Sequence, residues 1–344
     1  MNRAYVDGDV ERLGRFFADD HLKRLDYERW LREREQHQAR GINPLAVTVQ
    51  AVPLQTKVID DDTVDTVLSL HQKLHYKLND QMHVQENQRV QRVRMKRIED
   101  TWAFLRPWGW YFDNIFGGGR PAGREGEGEG EGEGTPGEVA EGTAAGTPDN
   151  PQIPTQNPAG PGVVVPATPT PAEPEAVEVV RLSGYNRARG VAYAEQYWNS
   201  YNSAYPKFEV DCTNFVSQCL HAGGIPMTFT GNRGSGWWMR GKNWSYSWSV
   251  AHSLYLMMKS GKAPFYAKQV HDPRMLQPGD VICYDFDGDG RWQHNTYVVT
   301  KDANGMPLVN AHTTNSRRRY WEYKDSTAYT PKVQYGMFRI MGGQ

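Results

Sequence analysis

Asp211-Cys212-Thr213-Asn214-Phe215-Val216-Ser217-Gln218-Cys219-Leu220-His221-Ala222-Gly223-Gly224 is the stretch whose reading decides the fold. Asp211 suits the cap of a helix, Phe215, Val216 and Leu220 make an apolar stripe, and Gly223-Gly224 supplies a stop. The pattern predicts a helix with Cys212 in its first turn. There, unpaired backbone N–H groups and the helix dipole favour a thiolate, and the same amides stand near any oxyanion formed by its attack on a carbonyl. The alternative is a buried cysteine that merely packs at a helix start, and spacing alone favours it. Cys219, two turns along among apolar neighbours, reads as a small core residue.

A cysteine nucleophile needs a base, because a free thiol is only slightly ionised at neutral pH. His294 opens a β-branched run, Asn295-Thr296-Tyr297-Val298-Val299-Thr300, which ends at the turn signal Lys301-Asp302-Ala303-Asn304-Gly305. Leu308 to Thr313 is the return strand. With Asn304-Gly305 as the two turn residues, Tyr297 faces His312, which puts His294 on the opposite parity. A bulge or a longer turn would bring His294 and His312 to one side. His312 is therefore the first choice to orient the base through its second ring nitrogen, Asn310 the second, and Asn315 a remoter option.

In order, the Asp-Cys-Thr-Asn-Phe-Val-Ser-Gln-Cys-Leu helix, Leu276-Gln277-Pro278-Gly279-Asp280-Val281-Ile282, the His294 strand and Ala311-His312-Thr313 resemble the putative amidase domain family of bacterial proteins. That family is similar to the NlpC-type and CHAP-type papain-like hydrolases. The resemblance covers about residues 185–338. It implies an α+β fold in which a cysteine-bearing helix packs on an antiparallel sheet that carries the histidine. It also implies a cysteine amidase or peptidase in which Cys212 is the nucleophile and His294 the base, acting on peptide-like or cell-wall stem amides.

Around this framework lie weaker candidates. Asp285-Phe286-Asp287-Gly288-Asp289-Gly290 begins like a calcium loop, but Thr296 stands where the bidentate acid belongs, so a tight turn is the better reading. Trp237, Trp238, Trp244 and Trp248 could wall a substrate groove or cover the core. Tyr201 and Asn202 could donate to an oxyanion, and Arg317-Arg318-Arg319 could hold a carboxylate, although loop polarity and solvated charge explain them as well. Residues 248–258 read as a further helix.

The first 116 residues read as a small α+β domain: a helix from about Asp9 to Ala39 stopped at Gly41, then an antiparallel meander over 45–54, 64–78, 90–95 and 101–105. His71, His75 and His83 have no metal-ligand spacing there. Residues 117–178, rich in Gly, Glu and Pro, read as a disordered linker that lets the two ends move semi-independently, and 179–344 as the papain-like domain. Across 344 residues, 39 Lys+Arg balance 40 Asp+Glu, which argues against a nucleic-acid partner. Three cysteines make no disulfide framework. No apolar run suits a signal peptide or a membrane span, so the compartment is cytoplasmic by default, or the envelope if the start is trimmed. The chemistry calls for no metal or organic cofactor, and the oligomeric state is open.

Overall fold

The computed structural model describes Val6 and residues 20–98, 101–107 and 184–341. The linker reading for 117–178, and the part of the first helix before Asp20, lie outside the described residues. Helix α1 (Asp20–Arg40) carries His37 and Arg40 in its last turn and stops at Gly41, whose φ of +72° suits a residue without Cβ. The alternating sequence that follows folds as β1 (Asn43–Asp60), β2 (Thr63–Leu78), β3 (Gln81–Ile98) and β4 (Thr101–Pro107), all antiparallel. The strands run past the predicted bounds, and β1 is exposed along most of both faces. A small core of Ile42, Val47, Leu74, Tyr76 and Leu78 packs at the end of the meander nearest α1.

In the second segment, α2 (Arg187–Tyr197) is capped by Asn186, whose side chain accepts from the Arg189 N–H. Helix α3 (Cys212–Ala222) is the predicted cysteine helix. After it come a two-strand ribbon, β5 (Met239–Arg240) with β6 (Asn243–Trp244), a short helix α4 (Tyr246–Ser249), and α5 (Ala251–Lys259). Strands β7 (Tyr266–Val270), β8 (Val281–Asp285), β9 (His294–Lys301), β10 (Pro307–Ala311), β11 (Asn315–Tyr320) and β12 (Gln334–Met341) complete a ten-stranded sheet. Its order is β1-β2-β3-β11-β10-β9-β8-β12-β7, with β4 on the outer stretch of β3.

Strand parity gives the C-terminal part of the sheet two apolar faces. Val281, Cys283, Tyr297, Val299, Phe338 and Ile340 meet Phe215, Val216, Leu220, Leu254 and Met258 on the helix side. Ile282, Tyr284, Val298, Leu308 and Met337 meet Phe286, Tyr320, Trp321 and Tyr323 on the other. Gly190 lets α2 lie close on β9, since a Cβ there would stand 2.1 Å from the Tyr297 hydroxyl. The aromatic loop belongs to the helix-side core: Trp237 and Trp248 are fully buried, with their indole N–H groups on Ser217 and Asn214.

The expectation of two semi-independent ends gives way to one sheet. Asn315, Ser316 and Arg317 of β11 pair with Gln88, Asn87 and Glu86 of β3. Arg317 bridges Glu86 and Glu195, Arg40 pairs with Asp302, and Gln36 donates to Glu322. The meander thus adds strands to the sheet of the second segment, covering an edge that would otherwise present open backbone groups. Among the described residues, no helix is long and apolar enough to cross a membrane.

Candidate active site

Cys212 is the first residue of α3 and only 1% exposed. Its sulfur lies 3.7 Å from the Thr213 hydroxyl, and the Asn295 N–H and the Thr213 and Thr313 hydroxyls favour the thiolate. Burial outweighs them and pushes the thiol up, and the adjacent Asp211 carboxylate adds to the rise. Burial thus works against the sequence reading of a sulfur held charged by its helix.

Asp211 holds the cap position without capping. Its carboxylate bonds to no helix N–H; Oδ1 accepts from the Phe208 N–H (3.0 Å) and the Asn214 side chain (2.9 Å), and Oδ2 meets His312 at 2.7 Å. The first amides of α3 are thus left uncapped by any side chain.

His294 opens β9 as expected and is 4% exposed. Its Nε2 is hydrogen-bonded to the Tyr323 hydroxyl at 3.3 Å, and its ring lies among Tyr284, Phe286 and Tyr323. Burial raises the Tyr323 phenol, so the hydroxyl keeps its proton. His294 and Thr313 line one small cavity with Phe286, Thr314, Arg319 and Ser326. Thr313 therefore faces both the sulfur and the space beside the imidazole, and Asn295, the sulfur's backbone donor, is the residue next to His294.

His312, expected beside His294, is placed elsewhere. Both ways of shifting the hairpin register occur, and their effects on parity cancel. The turn is longer, closing with the Asp302 N–H on the Met306 carbonyl, so Pro307 faces Lys301; a bulge between Leu308 and Val309 then shifts the ladder one more step in the same sense, which restores the parity and puts Asn310, not His312, opposite Tyr297. His312 consequently lies on the helix side, with Nδ1 on Asp211 and Nε2 on the Tyr197 carbonyl at 2.7 Å each, and does not reach His294. Asn310 is engaged with the Ala194 carbonyl and the Arg318 N–H, and Asn315 with Tyr201. Tyr323, beyond the strand that was searched, is hydrogen-bonded to His294.

The weaker candidates separate in the same way. Asn202 closes a turn onto the Ala204 N–H and donates to Tyr193, and Trp238 is buried with its indole on the Ser235 carbonyl. Neither meets the thiol. Tyr201 lies tilted against His312, with ring centroids 4.8 Å apart. Arg317 and Arg318 bind Glu195, while Arg319 pairs with Asp325 and lies 3.8 Å over the Tyr323 ring. The Asp285 carboxylate accepts the N–H groups of Gly288, Asp289 and Gly290, so it closes a tight turn on itself. Among the described residues no group of three or more His, Cys, Asp or Glu is placed to hold a metal ion.

Two positions at this site have left-handed backbone, Thr313 at φ +85° and Tyr323 at φ +56°. For a β-branched threonine that conformation is a marked outlier, of the kind that clusters at functional sites.

Comparison with known proteins agrees with the sequence resemblance. The chain is 55% identical over 170 residues to the uncharacterized protein YhbB of Bacillus subtilis (strain 168), a stretch covering 49% of this chain and 55% of that one. It is 30% identical over 161 residues to the uncharacterized protein YjcM of the same organism, covering 44% of this chain and 36% of that one. The matched stretches thus span about half or less of these relatives. No solved structure matches. The model of the putative amidase domain matches residues 184–337, the segment that carries Cys212, His294, His312 and Tyr323.

Proposed function

We propose that residues 179–344 form a papain-like cysteine amidase, with 1–116 a small α+β domain joined to it through the 117–178 linker. In this reading His294 takes the Cys212 proton and the thiolate attacks an amide carbonyl. The uncapped amides of α3 stabilise the oxyanion, His294 returns the proton to the leaving amine, and water releases the acid. Tyr323, bonded to Nε2, orients the ring in place of the triad partner sought in the sequence, which assigns the proton exchange to Nδ1. The substrate is a peptide-like amide, with cell-wall stem amides as the first class to test.

One observation supports the reading: Thr313, whose hydroxyl favours the Cys212 thiolate, also lines the cavity of His294, beside a helix start that Asp211 leaves uncapped. The test is mass-spectrometric capture of a thioester on Cys212 across an amide library, with Cys212→Ala as control. A thioester on the full chain and none on the variant is the expected result.

A second reading, a papain-like shell that binds without turnover, is favoured by the burial of Cys212 and its raised thiol. Alkylation of Cys212 by iodoacetamide no faster than that of an ordinary thiol, together with no thioester, would select it.

A further inference from the structure

His312 is closed in by four groups. Its Nδ1 lies 2.7 Å from a carboxylate oxygen of Asp211, and its Nε2 lies 2.7 Å from the carbonyl oxygen of Tyr197. A carbonyl can only accept, and so can an ionised carboxylate, whereas a neutral imidazole has one N–H to give. Both contacts are satisfied if the ring carries two N–H groups, or if the proton stays on Asp211.

The surroundings decide between these. Tyr197 ends α2, so its carbonyl belongs to the negative pole of that helix. The Phe215 ring of α3 stacks on the imidazole with centroids 4.2 Å apart, and the Tyr201 ring stands at 4.8 Å from the connecting loop. Aromatic faces attract a cation. Lys207 sits 4.2 Å from the centroid of the Tyr201 ring. A carboxylate, a helix C-terminus and two rings thus converge on a side chain that is 2% exposed.

We propose that His312 is a positioning residue: as an imidazolium it ties the start of the nucleophile helix to the end of α2 and cancels the Asp211 charge beside the Cys212 thiol. The proposal rests on Cys212 being the reactive group. Two distances give it mechanical content, since the two 2.7 Å bonds join residue 197 to residue 211 through one ring. The Asp211 carboxylate makes the neighbouring sulfur harder to ionise, and a cation on Oδ2 relieves that penalty.

The test uses the full chain labelled with 15N-histidine, with the His312 signals assigned by their loss in His312→Gln. Both ring nitrogens should show protonated shifts, as two hydrogen bonds to acceptors require. A singly protonated ring would overturn the proposal.

The second readout is the rate of Cys212 alkylation by iodoacetamide at neutral pH, followed by fragment-ion mass spectrometry to separate Cys212 from Cys219. His312→Gln leaves Asp211 uncompensated and should slow alkylation about tenfold, the effect of one unit on the thiol. Adding Asp211→Asn to the same chain removes the charge and should restore the rate. A double variant as slow as the single one would reduce His312 to a structural clamp and overturn the positioning role. If circular dichroism shows that His312→Gln does not fold, the His312 signals are assigned by substituting the other histidines one at a time, and the nitrogen shifts of the unmodified chain then decide. Loss of thioester capture with both results intact would remove the amidase reading and leave this one standing.

Discussion

Thr313 and Tyr323 are two single residues on which the proposed chemistry can be tested without disturbing the fold. Tyr323→Phe removes one hydroxyl from His294 Nε2 and keeps the ring that packs against Tyr284. A neutral hydrogen bond is worth about 1 kcal/mol, so turnover should fall about fivefold or more with little change in thermal midpoint. Steady-state kinetics beside a melting curve checks this. Thr313→Gly relieves left-handed strain of about 1–3 kcal/mol but adds the chain entropy of glycine, about 1 kcal/mol, so denaturant unfolding should show equal or higher stability. It also removes a hydroxyl that favours the thiolate, so alkylation of Cys212 should slow. Stability and thiol reactivity moving apart is the expected outcome, and a drop in both would show that the strained turn is merely structural. The nucleophile and base were legible in the sequence because their order along the chain matched a family pattern. Tyr323 was not, because a tyrosine after a strand carries no signal until the ladder brings it to the imidazole.

At the level of elements, the end of α1 is the pH-sensitive part. His37 is buried there, and burial, then the Arg40 charge, lower it to about 4. An unfolded histidine takes up its proton near ~6.5, so between that value and about 4 the unfolded chain binds more protons than the folded one. The stability contributed by neutral His37 is full above ~6.5 and is lost as the pH falls toward about 4. Denaturant titrations across this window should show that loss, and His37→Phe should flatten it. Helix and strand identities were readable from period where it was strong, as in α3 and β2. The β9–β10 register was not, because a lengthened turn and a bulge each shift parity by one, and neither has a sequence signature strong enough to fix their sum. That is why His312 was sought beside His294 and lies on the opposite face.

For the molecule as a whole, the join between β3 and β11 sets the consequences. Composition separated the first 116 residues from the rest, and nothing in periodicity could show that their strands would extend the same sheet, since edge pairing depends on which open ladder meets which. A fragment of residues 179–344 loses the partner of Asn315, Ser316 and Arg317 and exposes the edge of β11. It should self-associate at concentrations where the full chain stays dispersed, as read by light scattering, and Arg317 should keep only its Glu195 partner. A fragment as well behaved as the full chain would mean that the ladder is dispensable.

The separation along the chain carries a further consequence. Glu86 and Arg317 lie 231 positions apart, so during synthesis the meander leaves the ribosome long before the strand that completes its ladder. Until then an unsatisfied row of amides and carbonyls on β3 is open to any passing extended peptide. Expression yield should depend on how quickly translation delivers the second half, and slowing it with rare codons across residues 184–314 should send more of the chain into inclusion bodies.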